Sequence, residues 1–244
     1  GGLVLLTRSG PLPGAADWSH AEANAASTGA SEDELICAPM SILWFDAAQR
    51  WHKFPGQDQV RVSSGRLILL EEGLLRASDV YTGRKLWEVE APLGENPLTD
   101  QQARDDVRYQ RHRVWGPPAS LAQTTQLVVV DDAIYLSDGP DCLVFDPATG
   151  ESLGRINLPE GISSSWGNIR VQGDYLIGTS GANVLCVNRH TGELLWRVET
   201  TRTALNLALG TDKVFCSELA NPRVGENENE DGALFALEIA TGEE

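Results

Sequence analysis

Apolar and polar positions alternate along most of this chain in short runs of three to six residues. Val60–Val62, Leu67–Leu70, Leu74–Asp79 and Lys85–Val89 form one group of such runs. Later groups begin at Leu127, Ile169 and Leu205. A two-residue period predicts half-buried strands, because successive side chains on a strand point to opposite faces. Glycine-bearing breaks such as Ser64-Gly65 and Asp138-Gly139-Pro140 separate the runs and predict tight turns. Sustained helical periodicity is absent; one short helix is predicted over Glu22–Ala26. The pattern therefore predicts an all-β chain whose strands come in fours, over 59–90, 127–158, 168–200 and 205–244.

One phrase recurs where the third run of a group gives way to the fourth. Its fullest copy is Ala77-Ser78-Asp79-Val80-Tyr81-Thr82-Gly83-Arg84-Lys85-Leu86-Trp87. The copy from Cys186 to Trp196 keeps Asn188, Thr191, Gly192 and Trp196. The copy from Val144 keeps Asp146, Thr149 and Gly150 but has Gly154 where tryptophan is expected. A fourth runs from Ala236 through Thr241 and Gly242 to Glu244. The Asp or Asn side chain can accept backbone N–H groups two residues on, and the glycine supplies a positive φ. Each copy is thus predicted to be a β-hairpin turn.

The four Thr-Gly threonines fall at 82, 149, 191 and 241, at intervals of 67, 42 and 50 residues. A period of 40 to 50 residues with several strands per unit predicts propeller blades. Two insertions, 92–125 and 220–232, interrupt it. The first joins an outer strand to the next inner one, and the second joins the middle strands of a blade. Both loops are predicted to decorate the same face. Ser41–Phe45 repeats the end of the phrase, with Trp44 one period, 43 residues, before Trp87. It predicts an outer strand that precedes the first blade. Residues 1–40 read as an N-terminal lead-in segment, and 41–244 as the blades.

The phrase resembles the tryptophan-docking motif of quinoprotein-type, PQQ-like repeat β-propellers. That class includes the pyrroloquinoline-quinone (PQQ) alcohol dehydrogenases and a non-enzymatic outer-membrane assembly lipoprotein. The resemblance implies that each motif tryptophan stacks on the glycine peptide of a neighbouring motif. Trp44, Trp87 and Trp196 would be docking residues and Gly83, Gly150, Gly192 and Gly242 their platforms, with one dock missing because of Gly154. It implies a ring of seven or eight blades, of which about four are present. Covalent continuation of the chain or self-association would complete it. A four-bladed ring closed by Trp44 beside Gly242 is the alternative. The class also implies an exported, periplasmic and bacterial setting.

Charge narrows the functional reading. A net charge of −16 argues against nonspecific nucleic-acid binding, which needs a basic footprint. No apolar run approaches a membrane span. Cys37, Cys142, Cys186 and Cys216 lack zinc spacing, and the last three lie in strand-like runs, which predicts buried free thiols. The adjacent-cysteine disulfide of the PQQ dehydrogenases has no counterpart here.

Against that acidic background the first insertion stands out. Arg104, Arg108, Arg111, His112 and Arg113 lie within ten residues, beside Trp115. Guanidinium groups bind anions by paired hydrogen bonds, so an anionic small molecule or acidic protein partner is the ligand this loop suggests. Asp105 and Asp106 equally suit a solvated, self-paired loop. Trp166, after Ser163-Ser164-Ser165, is a further candidate for the ligand face, with packing between blades as its plainer role. The run Glu226–Asp231 offers oxygens to calcium but lacks calcium-loop spacing. His20, His52, His112 and His190 show no metal-ligand spacing, and no nucleophile with its base is recognisable. No cofactor is predicted; PQQ with calcium enters only under the oxidoreductase alternative. The expected function is a non-catalytic binding or scaffold module of a larger bacterial protein. The alternatives are a PQQ-dependent dehydrogenase, or a carbohydrate-binding propeller using Trp51, Trp115 and Trp166.

Overall fold

A computed structural model describes residues 10–44, 59–71, 73–93, 126–162, 165–200, 204–218 and 233–244. These residues contain fifteen strands and no helix. The first sheet comprises β1 (Gln59–Ser63), β2 (Arg66–Glu71), β3 (Leu74–Asp79) and β4 (Lys85–Glu90). The second holds β5 (Leu127–Val129), β6 (Ile134–Asp138), β7 (Asp141–Phe145) and β8 (Ser152–Asn157). The third holds β9 (Ile169–Gln172), β10 (Tyr175–Thr179), β11 (Asn183–Asn188) and β12 (Leu194–Glu199). The fourth has three strands, β13 (Ala204–Leu209), β14 (Lys213–Glu218) and β15 (Leu234–Glu238). Each sheet is an antiparallel meander in chain order. The all-β architecture of bladed sheets expected from the sequence is what the structure shows.

The sheets stack face to face. Ile68, Leu75, Leu127 and Ile134 belong to one buried cluster between the first two sheets. Tyr135, Cys142, Leu176 and Leu185 fill the next, and Ile177, Cys186, Leu207 and Val214 the third. Burying an aliphatic side chain stabilises by about 1.5–3 kcal/mol, so these three layers hold the sheets in order. The first strands β1, β5, β9 and β13 approach one another in sequence, as the inner strands of a fan do.

Two local expectations are corrected. Residues 22–26 form turns and isolated bridges, not a helix. Ala23 has φ +73°, which no right-handed helix accommodates, and its carbonyl accepts the amide of Ser19. Residues 41–44 carry no strand ladder. Trp44 is held instead by its side chain, over Gly83 and away from Gly242.

The lead-in segment has a role that its composition did not suggest. Trp18 and Val62 exchange backbone hydrogen bonds at 2.8 and 3.0 Å. Val129 donates to the Ser19 carbonyl and Leu209 to that of Ala25. Val171 donates to His20 Nε2 at 3.1 Å, and Ser27 Oγ to the Leu207 carbonyl. One stretch of about ten residues therefore spans the inner strands of all four sheets.

Candidate functional site: the rim docks and one without a ring

The repeated turn is built by local chemistry. Asp79 Oδ1 accepts the amides of Tyr81 and Thr82 and the Thr82 hydroxyl. Asp146 accepts Ala148 and Thr149, and Asn188 accepts His190 and Thr191. In all four copies the glycine amide donates to the carbonyl four residues back, at 2.8 Å. The glycines have φ of +68° to +76°, the left-handed region that a Cβ disfavours. A register shift then follows at the same place in three sheets, between Ala77 and Ser78, Val144 and Phe145, and Cys186 and Val187. It sets Ala77 opposite Trp87, Cys186 opposite Trp196 and Val144 opposite Gly154.

Three of the four glycine peptides lie under an indole ring. A Cβ placed on Gly83 would fall 2.5 Å from the Trp44 ring; on Gly150, 2.6 Å from Trp87; on Gly242, 2.8 Å from Trp196. Each ring also donates from Nε1 to the carbonyl three residues before its glycine. The acceptors are Val80 at 2.8 Å, Pro147 at 3.1 Å and Ile239 at 2.8 Å. Trp87 and Trp196 thus each join the outer strand of one sheet to the turn of the next, and Trp44 joins the chain ahead of the first sheet to that sheet's turn.

Gly192 differs. Among the described residues, only Ile156 Cγ2, at 3.9 Å, would come near its Cβ, and none would meet a Cβ on Gly154. The equivalent acceptor is the Arg189 carbonyl, to which no group among the described residues donates. Between Gly154 and Arg189 lies a groove of about 250 Å³, lined by Asp132, Tyr135, Leu153, Ile156, Arg189 and His190. Arg189 is fixed there. Its Nη1 and Nη2 donate to the two Asp132 oxygens at 2.9 and 3.0 Å, Nη1 also to Tyr135 Oη, and Nε to the Gly173 carbonyl. The Arg189 bonds hold the Asp132 carboxyl below its usual range, and burial holds the Tyr135 hydroxyl above its own. His190 meets Asp174 at 3.2 Å, and Arg155 meets Asp141 at 2.8 Å. The groove offers a recess of about 250 Å³, a backbone acceptor unmet by any described donor, and a guanidinium at its wall.

A second polar cluster lies where the lead-in segment crosses the inner strands. His20, Arg61 and Arg170 are at most 6% exposed. Because His20 Nε2 accepts from Val171, Nδ1 carries the ring proton and donates to Ser19 Oγ at 2.8 Å. Burial, reinforced by Arg170 and Arg61, lowers the His20 pKa to about 3. Burial, with Arg170 second, brings Arg61 down to about 10. Arg170 donates to the Ile169 carbonyl and Ser27 Oγ. Two guanidiniums and an imidazole suit a hard cation poorly, since calcium takes six to eight oxygen ligands. The described residues in this cluster do not fit a calcium–PQQ site. No group of three or more metal-ligating side chains converges elsewhere among the described residues.

The remaining candidates fall as follows. Arg104, Arg108, Arg111, His112, Arg113 and Trp115 lie outside the described residues, as do Trp51, His52 and the 226–231 acidic run. Trp166 is 2% exposed and packs on Gly178, where a Cβ would meet its ring at 2.6 Å. Its ring is part of the core between the second and third sheets rather than of an open face. Cys142, Cys186 and Cys216 are buried free thiols, and Cys37 is an exposed one. Sequence reasoning missed Arg61 and Arg170. Their signal was an arginine flanked by apolar residues in each inner strand, Val60-Arg61-Val62 in β1 and Ile169-Arg170-Val171 in β9, readable as an ordinary outward position until the crossing segment was seen.

This geometry defines a class by fold, antiparallel sheets arranged as blades of a β-propeller. Residues 140–244 match the family described as outer membrane protein assembly factor BamB, which bears out the likeness drawn from the repeated phrase. Among solved structures, the computationally designed Ika8 protein is similar at 13% identity and a TM-score of 0.51, over 75% of this chain and 46% of that one. BamB from Moraxella catarrhalis is similar at 17% identity and a TM-score of 0.43, over 75% of this chain and 48% of its own. The chain spans about half the length of these two structures. No curated protein matches it. No helix among the described residues is long and apolar enough to cross a membrane.

Proposed function

We propose that this chain is a non-catalytic propeller module that binds a protein partner through its rim and loops, within a larger exported bacterial protein. The observation that carries the reading is the groove between Gly154 and Arg189. It is a fixed, solvent-open recess whose Arg189 carbonyl accepts from no donor among the described residues, and its described lining pairs no nucleophile with a base. The match of residues 140–244 to an outer membrane assembly factor supports both a partner-binding role and an exported setting. The Arg104–Arg113 segment is proposed as a second contact, for an acidic surface of the same partner. Continuation of the chain or self-association would complete the ring.

The test is photo-crosslinking in the native cell. A photoreactive residue replaces Leu153, 59% exposed in the groove, or Leu86, which holds the same place beside a filled dock. A discrete protein adduct is expected from position 153 and not from position 86. The reading fails if neither position gives an adduct and the purified protein oxidises alcohols when supplied with PQQ and calcium.

A further inference from the structure

The four turns are four copies of one binding site, and three of them are filled by the chain itself. In each filled copy an indole lies flat on the glycine peptide and donates Nε1–H to the carbonyl three residues earlier. The copy at Gly192 has the same turn. Its glycine has φ +74°, Asn188 caps it, and the Gly192 amide donates to the Asn188 carbonyl at 2.8 Å. What it lacks is the ring, because Gly154 stands opposite Val144 where Trp87 and Trp196 stand opposite their partners.

We propose that this unfilled dock is a receptor for a tryptophan side chain presented by a partner polypeptide. The proposal deepens the partner-binding reading and rests on it. Three features choose the occupant. The first is the internal precedent, in which the same peptide and carbonyl receive an indole at three other places. The second is the lining. Leu153 and Ile156 supply apolar contact, and Arg189 sets a guanidinium at the wall of the recess. An arginine is well suited to the face of an aromatic ring. The filled docks have Val80, Pro147 and Ile239 at that position. Arg189 is already held by Asp132, Tyr135 and Gly173, so little side-chain freedom is lost on binding. The third is the acceptor. Among the described residues no donor reaches the Arg189 carbonyl, and only Trp among large apolar side chains combines a flat ring with an N–H donor.

The probes are N-acetyl-tryptophanamide and the pentapeptide Gly-Ser-Trp-Ser-Gly, titrated into the isotope-labelled full chain and followed by heteronuclear NMR. A stacked indole should move the Gly192 amide by its ring current and leave Gly83, Gly150 and Gly242 unmoved. Three changes should weaken binding. Gly192→Ala puts a methyl where the ring must lie and should reduce affinity at least tenfold. Leu153→Glu, at an exposed position that leaves the fold intact, should reduce it several-fold even if the glycine variant does not fold. A 1-methyl-indole version of the peptide removes the donor and should bind about five- to tenfold more weakly, as expected for one hydrogen bond. The proposal is overturned if millimolar probe leaves Gly192 unmoved. It is equally overturned if the alanine pentapeptide binds as well, or if the 1-methyl peptide binds undiminished. Shifts at Gly192 that follow protein concentration without probe would assign the dock to a second copy and overturn the partner assignment. Failure of the probes would leave a crosslink at position 153 standing, so the two readings fail separately.

Discussion

At the scale of single residues, the molecule turns on a few positions where one side chain decides what its neighbours can do. Gly154 is one, since its missing ring opens the groove. His20 is another. Its neutral ring accepts the Val171 amide, and burial beside two arginines keeps it neutral to about pH 3. In the unfolded chain its pKa returns to about 6.5. Between those values the unfolded state binds a proton that the folded state does not. Stability is therefore complete above 6.5 and falls as pH drops toward 3, by about 1.4 kcal/mol per unit for one such group. We expect the free energy of unfolding to fall between pH 7 and pH 4.5 by roughly 2–3 kcal/mol more in the native protein than in His20→Gln, which keeps an acceptor without a titrating ring. Urea unfolding at the two pH values measures this. Equal losses in the two proteins would show that His20 is not the group responsible. Neither the neutral ring nor its arginine neighbours was legible from sequence. An isolated histidine in a polar, alanine-rich stretch carries no sign of the strands that will bury it.

Among the elements, the hairpin and its dock form the repeated unit. Its turn was readable because every bond in it is local. The Asp or Asn, the Thr and the Gly sit within five residues, and their side-chain chemistry fixes the backbone wherever the segment lies. The strands flanking it were readable for a similar reason, since alternation reports which face is buried. The conformation of residues 41–44 was not readable, because the anchor there is the Trp44 ring on a peptide 39 residues away in sequence rather than a ladder. The docks differ in burial, and that grades their worth. Trp196 is 7% exposed and belongs to the core between the third and fourth sheets, whereas Trp87 is half-buried. Trp196→Ala should cost about 3–5 kcal/mol, and Trp87→Ala measurably less. The denaturant midpoints of the two variants check this. A smaller loss for Trp196→Ala than for Trp87→Ala would mean that burial of the ring does not set the strength of the dock.

For the molecule as a whole, the segment from Trp18 to Ser27 is the tie across the fan. The inner strands β1, β5, β9 and β13 present an edge that no further strand among the described residues covers, and an uncovered edge leaves amides without partners. The segment supplies acceptors to that edge one strand at a time. Val62 donates to Trp18, Val129 to Ser19, Val171 to His20 and Leu209 to Ala25. To do so the backbone bends sharply, with positive φ at Ala23 and Ser27, conformations that cost L-residues on the order of 1–2 kcal/mol each and persist only where the surroundings over-determine them. No sequence rule reveals such a path, because its partners are backbone groups up to 184 residues away and its own side chains follow no period. The arrangement makes a collective prediction. If the segment detaches as one unit, the amides of Val62, Val129, Val171 and Leu209 should exchange with solvent deuterium at a shared opening free energy. That value should lie below the one for mid-sheet amides such as those of Leu136 and Leu185, which stay paired when the segment leaves. Replacing Ala23 with Pro should lower all four together, because a ring that locks φ near −65° cannot hold the observed +73°. Four unrelated exchange energies, or a proline variant that loosens one strand alone, would show four separate contacts in place of a single tie.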